Sequence, residues 1–289
     1  MSIQNDCMVV NLQIGVWLGY RLDKEESRKV TESNGADADA ARVNKHIIPK
    51  EDLKGINSAG TAVRTHFYCN TLPWKDNGDR LLTRKRYMPF IETHEALVGT
   101  FKDAVAEFVD VLYPRARARA EFRMGSLWKE SDYPEGYVIR RKFYANLDID
   151  AVTMPEMLKG CFEDKEAYEK AKVDAEAAMA ARTTKAVGSL WGQLSEMLGH
   201  FAGKLDEEGA IFRDSTIKNL QDLVDMMPDL NFTNDPNLNR IAAEIERTLL
   251  GYEPKDLRKK DKVRKAAAED AKRILEEMGG FMGAFVQAD

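Results

Sequence analysis

The chain has 289 residues, 44% hydrophobic and 31% charged, with a formal net charge of -5. That apolar content supplies a sizeable core and excludes a chain disordered throughout. The mild acidity excludes a wholly basic nucleic-acid binder and leaves room for a local basic patch. Three scattered cysteines, Cys7, Cys69 and Cys161, fit free thiols in a reducing cytosol rather than a disulfide framework.

The opening Met-Ser-Ile-Gln-Asn-Asp has no basic stretch ahead of a solid apolar block, so no secretory signal is expected. No segment approaches the ~20 apolar residues of a membrane span. The expectation is a soluble, cytoplasmic protein without membrane contact.

Residues 8–22 alternate, with Val10, Leu12, Ile14, Val16, Leu18 and Tyr20 on one side. That period predicts a single strand with one buried face. The charged segment 23–46 is interrupted by Ser33-Asn34-Gly35 and reads as a broken helix or a helix with a mobile turn. Pro49 suits a first helical turn, and Leu53, Ile56, Ala59, Val63 and Phe67 carry a helix that must stop before Pro73. Residues 73–79 form a turn-rich loop around Asn77-Gly78. A helix is predicted over 84–112, broken or kinked at Pro114, followed by an arginine-rich helix over 115–124.

The second predicted strand spans 137–150 and pairs with the first, joined by a hairpin partner from the opening segment. A helix over 163–207 has the strongest periodicity, through Val187, Leu190, Trp191, Leu194, Leu198, Phe201 and Leu205. Alanines crowd 171–186, where small side chains would let a second helix approach. Helices then follow near 214–227, capped by Asp214 or Ser215, and from Asp235-Pro236 to Gly251. The last runs over 255–278 and stops at Gly279-Gly280. The resulting fold class is mostly α with a small antiparallel β-sheet (α+β), with a long helical hairpin or coiled-coil-like extension. Residues 1–160 are expected to form an α+β domain with inserted helices, and 161–289 a helical region.

Chemistry-bearing motifs are sparse. His66 and Cys69 share a helix face, but no second His/Cys pair follows at zinc-ligand spacing, so no metal is expected. Asp148 and Asp150 point the same way on a strand; a solvated strand face is the preferred reading over a carboxylate pair for acid–base or magnesium chemistry. Phosphate-binding glycine loops and a serine-hydrolase elbow do not occur. No catalytic residue and no cofactor is assigned, and a non-enzyme is expected.

Positive charge interleaved with aromatics is the more informative pattern. Arg115, Arg119 and Arg123 recur at i, i+4, i+8; Arg140, Arg141 and Lys142 precede Tyr144; Trp74 stands near Arg80, Arg84, Lys85 and Arg86. Neutralised phosphates and stacked bases are what single-stranded nucleic acid requires. Arg115, Arg119, Arg123, Arg140, Arg141, Lys142, Trp74 and Tyr144 are therefore the candidate nucleic-acid-binding residues. A solvated face with mixed ion pairs is the competing reading. Trp191, Phe201, Phe281 and Phe285 are the candidate anchors for a protein partner, against a core role for each.

Val-Asn-Leu-Gln-Ile-Gly-Val-Trp-Leu-Gly (10–19), Val-Arg-Thr-His-Phe-Tyr (63–68), Thr-Leu-Pro-Trp (71–74), Gly-Asp-Arg-Leu-Leu (78–82), Arg-Arg-Lys-Phe (140–143) and Phe-Arg-Asp-Ser (212–215) resemble an uncharacterised family of tailed-phage proteins. The opening Trp-x-Gly strand and the Arg-Lys-Phe strand are also similar to a bacterial domain of unknown function encoded beside MoxR-type AAA ATPases and von Willebrand A proteins. The resemblance implies a phage origin and an ATPase partner, and brings no catalytic residues. The expectation is a non-enzymatic phage accessory or adaptor protein working through macromolecular contacts, self-association included. The alternative is a single-stranded nucleic-acid binding or annealing protein of phage DNA metabolism.

Overall fold

The computed structural model describes residues 3–207 and 212–286, with side chains to residue 283. It is 70% helical with a small antiparallel sheet, an α+β architecture. The strands are β1 (Cys7–Gly15), β2 (Tyr20–Asp23), β3 (Val43–His46), β4 (Leu72–Pro73), β5 (Arg80–Thr83) and β6 (Tyr144–Ala151). The first seven helices are α1 (Ile3–Asp6), α2 (Lys24–Ser33), α3 (Lys54–Asn70), α4 (Tyr87–Glu107), α5 (Tyr113–Ala118), α6 (Ala120–Met124) and α7 (Gly136–Arg140). They are followed by α8 (Lys165–Asp206), α9 (Asp214–Leu230), α10 (Pro236–Thr248), α11 (Pro254–Lys259) and α12 (Asp261–Val286). Among the described residues no helix is long and apolar enough to cross a membrane.

One sheet has the order β4-β5-β1-β6, and β2 and β3 form a second. The expected neighbours β1 and β6 do lie side by side. Two compact units emerge, and they do not follow a cut at residue 160. The first comprises residues 1–11, 70–88 and 149–289, the second 12–69 and 89–148. The chain passes from one to the other four times, inside β1, at the end of α3, at the start of α4 and inside β6.

In the second unit, Ile56, Ala59 and Val63 of α3 share a core with Phe101 and Val105 of α4, Phe108, Tyr113 and Phe143. The predicted strand over 8–22 is in fact two. Gly19 sits at φ +65°, a conformation costly for side-chain-bearing residues. The first strand ends at Gly15, and the Gly19 carbonyl, just ahead of β2, accepts from the Ile47 and Ile48 amides. Leu18 and Tyr20, expected on the buried face, are exposed. The broken helix expected over 23–46 is α2 followed by β3, which pairs antiparallel with β2 in the register Tyr20↔His46. Asp23 caps α2 by accepting from the Glu25 and Glu26 amides. It also meets the buried ammonium of Lys45 at 3.0 Å, and Lys45 reaches Asp132 at 2.6 Å.

Pro114 does not break the predicted helix. A wide π-type stretch, Phe108–Leu112, leads into α5, whose first turn holds Pro114 where a missing N–H costs little. The strand expected from 137 begins only at Tyr144, because 136–140 form α7 with Ile139 buried.

In the first unit, Asn77-Gly78 does close a turn, with Gly78 at φ +94°. The flanking residues form a hairpin, β4–β5, with β5 antiparallel to β1. Helix α8 spans 42 residues, and Asp164 caps it through the Ala167 amide. Its second half buries Leu190, Trp191, Leu194, Leu198, Phe201 and Leu205. Helix α12 runs antiparallel to that half: Arg264 donates to the carbonyls of Lys204, Leu205 and Glu207, while Phe281 meets Trp191 at 5.8 Å. The buried alanines of this core are Ala186 and Ala202 of α8, Ala242 of α10, and Ala267, Ala268 and Ala271 of α12. The alanine-rich stretch 171–186 leaves no side chain buried before Ala186. Gly279-Gly280 does not stop α12, which continues to Val286 because Phe281 and Met282 pack on the core. Arg213, without a side-chain cap bond, precedes α9 in place of the expected Asp214 or Ser215. The Asp235-Pro236 start of α10 is as expected, with Asp235 accepting from the Asn237 amide.

Candidate functional site

The segment Gly15–Arg21 joins β1 to β2 and, with Lys142 and Tyr144, lines a concavity of about 510 Å³ on the second unit. Gly15 is required by a close approach. A Cβ there would stand 2.7 Å from Tyr144 Cζ and 2.8 Å from its Cδ1. Only a bare backbone lets the phenol ring lie across the strand.

Trp17 is half-buried, its indole set against Phe108 at 6.3 Å and Tyr113 at 6.0 Å. The Lys142 ammonium lies 5.8 Å from the centre of the same indole. That contact is a cation–π pair, which orients the cation at the groove while leaving its hydrogen atoms for a ligand. Tyr20 and Tyr144 are exposed, and Arg21 beside Tyr20 is exposed as well. Three aromatic rings and two cations thus face one concavity. Tyr20 packs edge-on against His46 at 6.0 Å, and the His46 carbonyl accepts from Arg123 at 2.8 Å. The groove is thereby connected to α6, where Phe122 is 97% exposed between Arg119 and Arg123. Arg119 in turn donates to the Arg115 carbonyl.

Of the sequence-predicted nucleic-acid residues, Lys142 and Tyr144 line the groove. Arg115, Arg119 and Arg123 are exposed on α5, α6 and the turn between them. Arg140 and Arg141 are exposed at the end of α7 rather than on a strand, and Arg140 is paired with Asp110 at 2.6 Å. Trp74 does not join them. It belongs to the first unit and is 3% exposed, so neither indole face is open for a base. Trp17, Tyr20, Arg21 and Phe122 were not singled out from the sequence. The spacing Gly15-x-Trp17-x-Gly19 was the available signal, hidden by an alternation read as one strand.

Two of the predicted protein-partner anchors, Trp191 and Phe201, are core residues. Trp191 and Phe201 are fully buried, and the Trp191 indole donates to Asp235 at 3.2 Å. Phe281 is half-buried between Trp191 and the Arg240 guanidinium, 5.1 Å from its ring. The Phe285 side chain lies outside the described residues.

His66 stacks on Phe90 at 5.0 Å with its Nε2 3.0 Å from the Phe90 carbonyl, and Cys69 is exposed. Asp148 accepts from Gln13 at 3.0 Å, and Asp150 is exposed. Among the described residues no group of three or more His, Cys, Asp or Glu could hold a metal ion. Burial, with Asp6 adding to it, pushes the Cys7 thiol up to about 12, which keeps it un-ionised and a poor nucleophile near neutral pH.

No family model, curated protein or solved structure matches the chain.

Proposed function

We propose that the second unit binds single-stranded nucleic acid through the groove of Trp17, Tyr20, Arg21, Lys142 and Tyr144. The convergence of three aromatic rings and two cations in one concavity carries this reading. Tyr20 and Tyr144 stack bases, Arg21 and Lys142 neutralise phosphates, and Phe122 with Arg115, Arg119 and Arg123 extends the track. A base stacked on an aromatic side chain contributes roughly 1–3 kcal/mol without reading sequence. Unstacked bases are needed for this contact, which favours single strands over duplex. The resemblance to phage proteins fits a role in phage DNA metabolism.

Anisotropy titration of a labelled oligothymidylate at two salt concentrations tests this. Binding should weaken with salt, and Lys142→Ala should reduce the magnitude of the log–log salt slope by about 0.7, one phosphate contact on a single strand. Tyr144→Ala and Phe122→Ser should weaken binding without altering the salt slope. Absence of binding at low salt, or affinity indifferent to all three substitutions, removes the proposal.

An adaptor role, with an AAA ATPase or a second copy of the chain as partner, is the second reading. It is favoured by the first half of α8, where residues 165–185 bury no side chain and Val173 is exposed. Affinity capture with and without nuclease separates the two. A nuclease-resistant protein partner favours the adaptor, and nuclease-sensitive capture favours the groove.

A further inference from the structure

The first unit holds a second concavity, of about 1010 Å³, between the β4–β5 hairpin loop and α8. Its volume is in the range of small-molecule sites. The loop is pinned before any ligand arrives. The Trp74 and Lys75 amides both donate to the Asp79 carbonyl, and the Asp79 carboxylate accepts from Lys75 at 2.9 Å and Asn11 at 3.0 Å. Lys75, Asp76, Arg182 and Lys185 line the cavity, three cations against one carboxylate in a chain whose net charge is negative.

Arg182 is the informative member. Its guanidinium carbon lies 5.9 Å from the centre of the Trp74 ring, so the planar cation is held by the indole. Arg182 also lines the cavity, so the cation that packs on the indole borders the open space. Such a plane stacks well on a heteroaromatic ring and donates to phosphate at its edge. The Lys185 ammonium borders the same space, partnered to Asp76 at 2.8 Å.

We propose that this cavity binds a mononucleotide, with its base on the Arg182 guanidinium and its phosphate between Arg182 and Lys185. The site is separate from the groove of the second unit and does not depend on it.

Calorimetric titration of the full chain with AMP and dTMP, with inorganic phosphate and adenosine as controls, tests the proposal. Saturable nucleotide binding is expected, with both controls at least tenfold weaker, since each supplies half of the ligand. Arg182→Gln should weaken binding at least tenfold. Asp76→Asn should tighten it several-fold by removing the one carboxylate of the lining; the Asp76 side chain is 93% exposed, so this change is not expected to disturb the fold. Lys142→Ala, in the other groove, should leave nucleotide affinity unchanged. No saturable binding, unchanged affinity in the folded Arg182→Gln variant, or loss of binding in Lys142→Ala would each overturn the assignment.

Discussion

Replacing Lys45 with Met removes the one cation in a buried cluster of the second unit while keeping most of its volume. The ammonium stands 3.0 Å from Asp23, 2.6 Å from Asp132 and 2.9 Å from the Leu127 carbonyl. Its side chain is 3% exposed, with those of Asp23 and Asp132 at 4% and 18%. Removal leaves two carboxylates close together without their buried partner, with only the more distant Lys129 charge acting on Asp23, and one carbonyl without its donor. Breaking a buried pair in this way costs about 3–5 kcal/mol. The lower end applies here, because Asp132 keeps some water contact and Asp23 retains two backbone N–H donors. With a urea slope of roughly 2 kcal/mol/M, a loss of ~3 kcal/mol moves the midpoint by about 1.5 M. Urea denaturation read by hydrogen exchange on peptides covering 43–46 and 127–133 would follow this unit specifically. Adding Asp132→Asn should recover part of the loss. A midpoint unchanged by Lys45→Met would refute the premise that this cluster holds the β2–β3 sheet, and with it Tyr20 and Arg21.

The same cluster sets a pH window. The Glu26 amide, then Lys45, hold the Asp23 carboxyl below its usual range, so its contribution is present above about pH 4 and lost as pH falls through the lowered value. Burial opposes the charge on Lys45, but its bonds to Asp132 and Asp23 outweigh that and raise its pKa; this contribution is complete below about pH 10 and disappears as pH rises through the raised value. Thermal melts across pH should show losses at both extremes, and Lys45→Met should flatten the alkaline one. Gly15→Ala should displace the Tyr144 ring and weaken oligothymidylate binding several-fold, with a stability cost below about 1 kcal/mol because an exposed side chain can move. Wild-type affinity in a folded Gly15→Ala variant would count against the groove. Phe201→Ala, fully buried against Phe212, should cost the first unit about 3–5 kcal/mol in chemical denaturation. Asp235→Ala removes the α10 cap and the acceptor of the Trp191 indole, and should cost about 1–2 kcal/mol by the same measurement.

Local chemistry and periodicity determined the helical elements. The repeat from Leu190 to Leu205 located the buried face of α8, and Asp235-Pro236 located the start of α10, because burial stripes and caps are short-range properties. Glycines were ambiguous for a physical reason. Gly19, at positive φ, turns the chain just before β2 inside an unbroken alternation, whereas Gly279-Gly280 fails to end a helix whose next residues pack on a core. The candidate site was half legible: Lys142 and Tyr144 stood out by composition, while Trp17, Tyr20 and Arg21 reach the same groove only because the chain turns at Gly19 and Gly15 leaves room for the Tyr144 ring. Only the tertiary structure decided which aromatic residues face solvent. Trp74, Trp191 and Phe201 are enclosed by packing, whereas Phe122 is left bare beside two arginines. Residue type sets how much free energy burial releases, but the arrangement of the whole chain selects which residues are covered.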